Sequence, residues 1–180
     1  MSLQLNTPPA QEPVTLAAAK AWLRVESGND EDDLIAALIA AARTRAEWHT
    51  GRAFVTQGWT LWLDRPAPVI ELPLPPLQAV TAVTLYAPDG GATVLGSGDY
   101  TADLAGSRLL LKAMPPNLRA TNAAAIAFTA GYGAAAAVPP DIGQAILRIV
   151  AALYEHRGGE PAPDPGTALA LLAPYRIIHL

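Results

Sequence analysis

The hydrophobic pattern of this chain changes twice, and these changes limit its fold more than any other feature. Residues 15–51 and 138–173 repeat apolar side chains at the period of a helix. Residues 52–137 instead alternate, and they are rich in β-branched and aromatic residues. We therefore predict an α+β fold, with a helical bundle formed by N- and C-terminal helices and an inserted small antiparallel β domain.

Two helices are predicted in residues 15–51. Thr15 is a suitable N-cap for the first helix, because its hydroxyl can accept from the free N–H groups of the first turn. The second helix has Asp30 as its predicted cap, acidic residues at its positive end, and Gly51 as a left-handed stop. Its predicted core stripe is Leu34, Leu38, Ala41 and Trp48, widened by Ile35, Ile39, Ala42 and Ala46.

The middle part contains several short strand patterns separated by turn signals. Trp59, Leu61 and Leu63 alternate with Thr60 and Trp62, which is typical of a strand. The sequence PDGG, residues 88–91, predicts a tight turn between two further strands. This spacing favours a small antiparallel sheet, sandwich or barrel.

The two ends of the chain differ from both patterns. Residues 1–14 contain prolines and no continuous apolar run, and we predict a flexible N-terminal arm. Residues 174–180, PYRIIHL, form an apolar tail after the last short helix. Because chain ends normally fray into water, this tail either folds back on its own core or contacts another protein.

No arrangement of residues indicates catalysis. The chain has no cysteine, and His49, His156 and His179 lack metal-site spacing, so helix-end or surface roles are favoured for them. We predict no catalytic residues, no cofactor, no metal site and no enzyme activity. Sixteen acidic against twelve basic residues disfavour nucleic-acid binding through a basic face, and no apolar run approaches membrane-spanning length. Core or interface packing is favoured for the four tryptophans over a ligand-stacking role.

Several segments, in order, resemble the head–tail connector (adaptor) proteins of tailed bacteriophages and phage-like gene transfer agents. These segments are VTLAAAKAWLRV, DEDDLIAALIAAARTRAEWHTGRA, IELPLPPLQAVTAVTLYAPDG, FTAGYG, VPPDIGQAILRIVAALYEHR and LLAPYR. They extend over most of the chain, from Thr15 to Arg176.

The resemblance implies a structural protein of the virion neck, present in the host cytoplasm during assembly. Such a protein forms a ring of about twelve subunits under the portal protein, extends the DNA channel and supports a neck, stopper or tail-completion protein. DNA would pass through it without specific binding, and the free chain can be a monomer. The predicted portal-docking residues are Tyr175, Arg176, Ile177, Ile178 and Leu180. The predicted loop for the next component is Pro88, Asp89, Gly90 and Gly91.

Two alternatives remain open from the sequence. One is a different neck protein, such as a stopper or tail-completion factor, which we expect to be mainly β. The other is a small ligand-binding module that uses Trp59 and Trp62, and it predicts an exposed ring on a concave β face. The tail likewise has two interpretations, docking on the portal or folding back.

Overall fold

The structure is a computed structural model of the chain, and it describes residues 1–25, 28–114, 116–156 and 166–177. These residues form four α-helices, eight β-strands and two short 3₁₀ turns. The strands are β1 (Ser2–Thr7), β2 (Gln57–Leu63), β3 (Val69–Glu71), β4 (Leu77–Tyr86), β5 (Ala92–Val94), β6 (Tyr100–Asp103), β7 (Arg108–Leu111) and β8 (Ala124–Ala130). The helices are α1 (Leu16–Leu23), α2 (Asp32–Thr50), α3 (Pro140–Glu155) and α4 (Gly166–Leu172), and the 3₁₀ turns are Ala135–Ala137 and Ala173–Tyr175.

The predicted α+β class is confirmed. The chain divides into two compact units. The β unit comprises Met1–Ala10 and Thr56–Tyr132, and the helical unit comprises Gln11–Val55 and the described residues from Gly133 onward. Each unit is therefore built from two separate stretches of sequence.

The β unit contains two antiparallel sheets. The larger sheet has the strand order β1-β2-β8-β4-β5, and the smaller has the order β3-β7-β6. Leu61 and Phe128 of the larger sheet and Leu109 of the smaller sheet are almost completely buried. Because side chains alternate between the two faces of a strand, β4 and β7 bury one face over part of their length, whereas all residues of β1 and β5 are exposed.

The N-terminal segment differs from the predicted flexible arm. Ser2–Thr7 form β1, which pairs antiparallel with β2 in a register that places Leu3 opposite Leu61 and Leu5 opposite Trp59. Without β1, β2 would be an edge strand with unpaired backbone groups, and this pairing satisfies them. The prolines that suggested an arm lie just beyond this strand, at positions 8 and 9.

The helical unit buries one face of each helix. α2 packs against α1, α3 and α4, and α3 also contacts α1 and α4. The buried apolar residues of these helices are Ala19, Ile35, Ile39, Ala42, Ala46, Ile142, Ala145, Ile146, Leu147, Ile149, Val150, Ala168 and Leu172. This packing provides most of the stability of these helices, because burial of an amphipathic face stabilises a helix more than its intrinsic propensity does. Among the described residues, no helix has the length and apolar character needed to span a membrane.

The buried face of α2 is only part of the wide stripe that we predicted. Ile35, Ile39, Ala42 and Ala46 are buried, whereas Leu34, Ala41 and Trp48 are exposed and Leu38 is half-buried. Both stripes have helical spacing, so periodicity alone could not tell which one the other helices cover. We call the exposed set the outer stripe, and it consists of Leu34, Ala37, Ala41, Thr44 and Trp48.

The start of α2 also differs from the prediction. Its N-cap is Glu31 rather than Asp30, and the Glu31 side chain makes no capping hydrogen bond. The acidic side chains still lie in the first turn, where Asp32 forms a salt bridge with Lys20 of α1. At α1 the prediction was correct, because the Thr15 hydroxyl accepts a hydrogen bond from the N–H of Ala18 at 3.1 Å.

Candidate functional site

The predicted docking tail begins as a segment held against the end of α2. The main-chain N–H of Ile177 donates to the carbonyl oxygen of Thr50 at 3.0 Å. The Arg52 Nε donates to the carbonyl oxygen of Tyr175 at 2.6 Å. Residues Tyr175–Ile177 therefore fold back within the helical unit. Ile178 and Leu180, which complete the predicted docking set, lie outside the described residues.

Gly51 creates the turn that receives this segment. It ends α2 in the left-handed conformation, with a φ of 71°, as the sequence predicted. Its N–H donates to the carbonyl oxygen of Glu47 at 2.8 Å. A β-carbon on Gly51 would lie 3.3 Å from Cδ1 of Ile177, so the absence of a side chain allows the tail to approach.

A charged network supports the same end of α2. Arg43 bonds to Glu12 at 2.7 Å and to Glu47 at 2.6 Å, and the other Glu47 oxygen accepts from the N–H of Phe54 at 2.9 Å. Burial by itself would lower the pKa of Arg43, but hydrogen bonding and the negative charges of both glutamates outweigh burial and raise this pKa. The network fixes the chain before α1 and after α2 to one helix.

Two basic side chains, His49 and Arg176, lie near the receiving turn. His49 is half-buried in the last turn of α2, and Arg176 is exposed in the tail. Burial first, and then the positive charge of Arg176, lower the pKa of His49. The segment thus presents an exposed positive charge from a main chain held in place by hydrogen bonds.

The predicted loop for the next component is the tip of the hairpin between β4 and β5. Pro88, Asp89, Gly90 and Gly91 are all exposed. The Asp89 carboxylate accepts from the N–H of Gly91 at 2.9 Å, and Gly90 adopts a φ of 89°. The loop is therefore an ordered exposed turn that is available for contact.

The two tryptophans of β2 have different environments. The Trp59 indole nitrogen is buried without a hydrogen-bond partner in the described structure. Trp62 is half-buried and stacks on Tyr86, with ring centroids 6.0 Å apart, and the Arg119 guanidinium lies 4.1 Å from the centre of the Tyr86 ring. The Trp62 ring already has a stacking partner within the β unit, which does not favour the ligand-binding alternative.

The described residues contain no group of three or more His, Asp or Glu side chains arranged to hold a metal ion. A surface cleft of about 250 Å³ in the β unit is lined by Asp64, Arg65, Pro66, Met114, Leu118, Arg119 and Ala120. The Asp64 carboxylate in this cleft already has partners within the chain. It accepts a hydrogen bond from the N–H of Asn122 at 2.8 Å and lies 3.5 Å from the N-terminal ammonium. Both contacts lower the pKa of Asp64, the hydrogen bond more than the ammonium.

Sequence reasoning missed the residues that hold the tail. Thr50 and Arg52 contact it from more than 120 residues away in sequence. A hydrogen bond to a main-chain atom leaves no recognisable side-chain pattern at either position. In the sequence, only Gly51, which lies between these two residues at the predicted end of α2, indicated this region.

Part of the chain matches a known protein family. Residues 13–87 match the family of phage gp6-like head–tail connector proteins. This region runs from the segment before α1 through α2 to the end of β4. No curated protein matches the chain by sequence.

Solved structures match the chain over its full length. They include the neck of an empty gene transfer agent particle computed with C6 symmetry, with 29% identity and a TM-score of 0.83. A chain of a native gene transfer agent virion is 27% identical, with a TM-score of 0.82. A chain of the neck of a native particle computed with C12 symmetry is 28% identical, with a TM-score of 0.76. Each match covers 100% of this chain and 97% of the solved chain. The resemblance predicted from the sequence is confirmed.

Proposed function

We propose, on the premise of this confirmed resemblance to head–tail connector proteins, that the chain is the adaptor of a phage or phage-like particle. It assembles as a ring of about twelve subunits under the portal protein, extends the DNA channel and supports the next neck or tail component. It acts as a structural protein of the virion neck and not as an enzyme.

Full-length similarity to proteins of gene transfer agent necks carries this proposal. A shared fold alone does not establish a shared function. Here, however, the similarity covers both units, and the family match falls independently on residues 13–87. The C6 and C12 symmetries of the related necks support a ring, because cyclic symmetry places identical subunits around one axis.

The charge of the chain is compatible with a DNA channel. Its formal net charge is −4, and it contains sixteen acidic residues. A wall that is neutral or acidic does not bind phosphates strongly, so DNA can pass without being retained. DNA is thus cargo in this proposal rather than a specific ligand.

We assign portal docking to the C-terminal tail, residues 175–180. The hydrogen bonds from Arg52 and Ile177 hold the start of the tail, and they leave the side chain of Arg176 exposed. Ile178 and Leu180 then supply the apolar docking surface, with each buried aliphatic side chain contributing roughly 1.5–3 kcal/mol before ordering costs. Repetition around a ring raises the strength of this contact through multivalency.

Co-purification with the portal protein encoded nearby tests the proposal. We would compare the full chain with two truncations, one after Pro174 and one after Ile177. The shorter chain loses both tail hydrogen bonds, whereas the longer one keeps them and lacks only residues 178–180. We expect both truncations to lose portal binding and to remain folded.

The three outcomes separate the parts of the proposal. Undiminished binding after truncation at Ile177 would move the portal contact away from residues 178–180. Loss of binding only in the shorter chain would assign docking to Tyr175–Ile177. Failure of the full chain to bind the portal would contradict the adaptor function itself.

The exposed turn Pro88–Gly91 is our proposed contact for the next component. It lies at the tip of a hairpin, and its Asp89 side chain fixes the turn from within. Replacing Asp89 with alanine should weaken attachment of the next component and leave portal binding unchanged.

A further inference from the structure

The outer stripe of α2 has the spacing of a helix–helix interface. Its five members occur at intervals of three, four, three and four residues, which is the a/d pattern of a coiled coil. All five are exposed, none is charged, and the Trp48 side chain is 84% exposed. A helix with apolar residues on both sides normally has partners on both sides, but the described residues cover only one side of α2.

A second exposed apolar surface lies on α1. Ala18, Ala21 and Trp22 are exposed there, and Trp22 is 44% exposed. The charged residue of this helix, Lys20, is engaged by Asp32 and does not interrupt the surface. We call these three residues the α1 face. By contrast, the exposed residues of α3 include Asp141, Arg148 and Glu155.

Ring symmetry identifies which molecule should cover the outer stripe. In a ring of more than two identical subunits, each subunit contacts its two neighbours through two different surfaces. The outer stripe cannot therefore pair with itself, and it needs a second apolar surface on the next copy. Among the described residues of the helical unit, the α1 face has this character and carries a tryptophan. Alanines on both sides allow two helices to approach closely.

We propose that the outer stripe of one copy packs on the α1 face of the next copy, with Trp48 as the aromatic anchor of this interface. The inference rests on the proposed ring and adds the residues that close it. It assigns subunit contact to α1 and α2, separately from portal docking through the tail. The interface has the apolar core and the aromatic anchor that are typical of stable subunit contacts.

Site-specific photo-crosslinking tests the inference in the full chain assembled on the purified portal protein. Trp48 is replaced by the photoreactive residue p-benzoylphenylalanine, and a matched chain carries it at Val94, which is 68% exposed on β5. With Trp48 replaced, we expect a product of twice the 18.8 kDa chain mass, crosslinked to the peptide that contains Trp22. With Val94 replaced, we expect less than a tenth of that product.

A product between the chain and the portal, or no chain–chain product on a loaded portal, would overturn the proposed interface. Crosslinking to a peptide elsewhere on a second copy would overturn the assignment to the α1 face. If none of the chains associates with the portal, the adaptor function fails together with the ring, so the two failures are distinguishable.

Substitution provides a second readout. Trp48→Glu should reduce the number of copies bound per portal at least tenfold, whereas Trp48→Phe and Val94→Glu should leave it unchanged. Circular dichroism should show unaltered folding in all three variants, because both positions are exposed. Full occupancy by the Trp48→Glu variant would contradict the proposal.

Discussion

Cδ1 of Ile177 lies 3.3 Å from the position that a β-carbon on Gly51 would occupy, so a side chain at position 51 would require the Ile177 side chain to shift by a few tenths of an ångström. Gly51 has a φ of 71°, which an L-residue with a side chain adopts only with strain. The helix end and the tail therefore depend on the same glycine.

Gly51→Ala should lower the free energy of unfolding by about 1–2 kcal/mol, since alanine is strained in the left-handed conformation. Gly143→Ala is the matched control, because Gly143 lies inside α3 with open space around its α-carbon. There, alanine should raise the free energy of unfolding by about 0.5–1 kcal/mol. Urea denaturation followed by circular dichroism measures both values, and a stabilising Gly51→Ala would contradict the role of this turn.

Arg43→Met should destabilise the helical unit by roughly 3–5 kcal/mol, because it leaves the carboxylates of Glu47 and Glu12 without their cation. The same change at Arg108, whose partner Asp103 lies on a more exposed surface, should have a much smaller effect, because water screens exposed ion pairs. Thermal unfolding of both variants tests the contrast. Equal effects at the two positions would show that burial of the Arg43 network contributes little.

Thr15→Ala should destabilise α1 by about 1 kcal/mol, since the N–H of Ala18 loses its acceptor. Thr15→Ser keeps the hydroxyl and should retain most of the stability. The comparison uses urea midpoints at constant slope. A serine variant as unstable as the alanine variant would indicate that the Thr15 methyl group, and not the cap, stabilises the helix.

Titration of His49 should contribute to the pH dependence of the free energy of unfolding. Its pKa in the folded chain is lowered by burial and then by Arg176, so the unfolded chain binds the proton more readily. Stability from this group is complete above the ordinary histidine pKa of about 6.5 and decreases as the pH falls through that value.

His49→Gln should reduce the loss of melting temperature between pH 7.5 and pH 5.5. Arg176→Gln should reduce it by a smaller amount, because the charge of Arg176 is the second cause of the shift and not the first. Differential scanning calorimetry across this range provides the measurement. An unchanged pH profile in His49→Gln would contradict the assignment.

The sequence predicted elements better than it predicted exposure. Thr15 and Gly51 mark helix ends through local chemistry that does not depend on the rest of the fold, and the structure places them there. The choice between two apolar stripes on α2 depends on which helices lie against it. The packing of those helices depends on residues throughout the chain and cannot be deduced from α2 alone. The prediction that Trp48 is part of the buried stripe was therefore wrong.

Long-range pairing was the other limit. β1 was not predicted as a strand, because its six residues are exposed and have no long apolar run. It is held by hydrogen bonds to β2, which lies more than fifty residues away in the sequence. β3 has only three residues, with prolines nearby, and gives too short a pattern to recognise. For the tail, the sequence predicted an apolar segment that either folds back or contacts another protein. The contacts of this segment with Thr50 and Arg52 are seen only in the three-dimensional structure.

The division of each unit into two stretches sets an order of folding on the ribosome. The β unit has all its residues once position 132 has been synthesised, but α1 and α2 must wait for α3, α4 and the tail. Because domains fold as units during synthesis, the β unit closes first and the helical unit closes last. Until then α2 lacks its contacts with α3 and α4, so apolar surface that is buried in the complete chain is exposed on the nascent chain, where it favours aggregation.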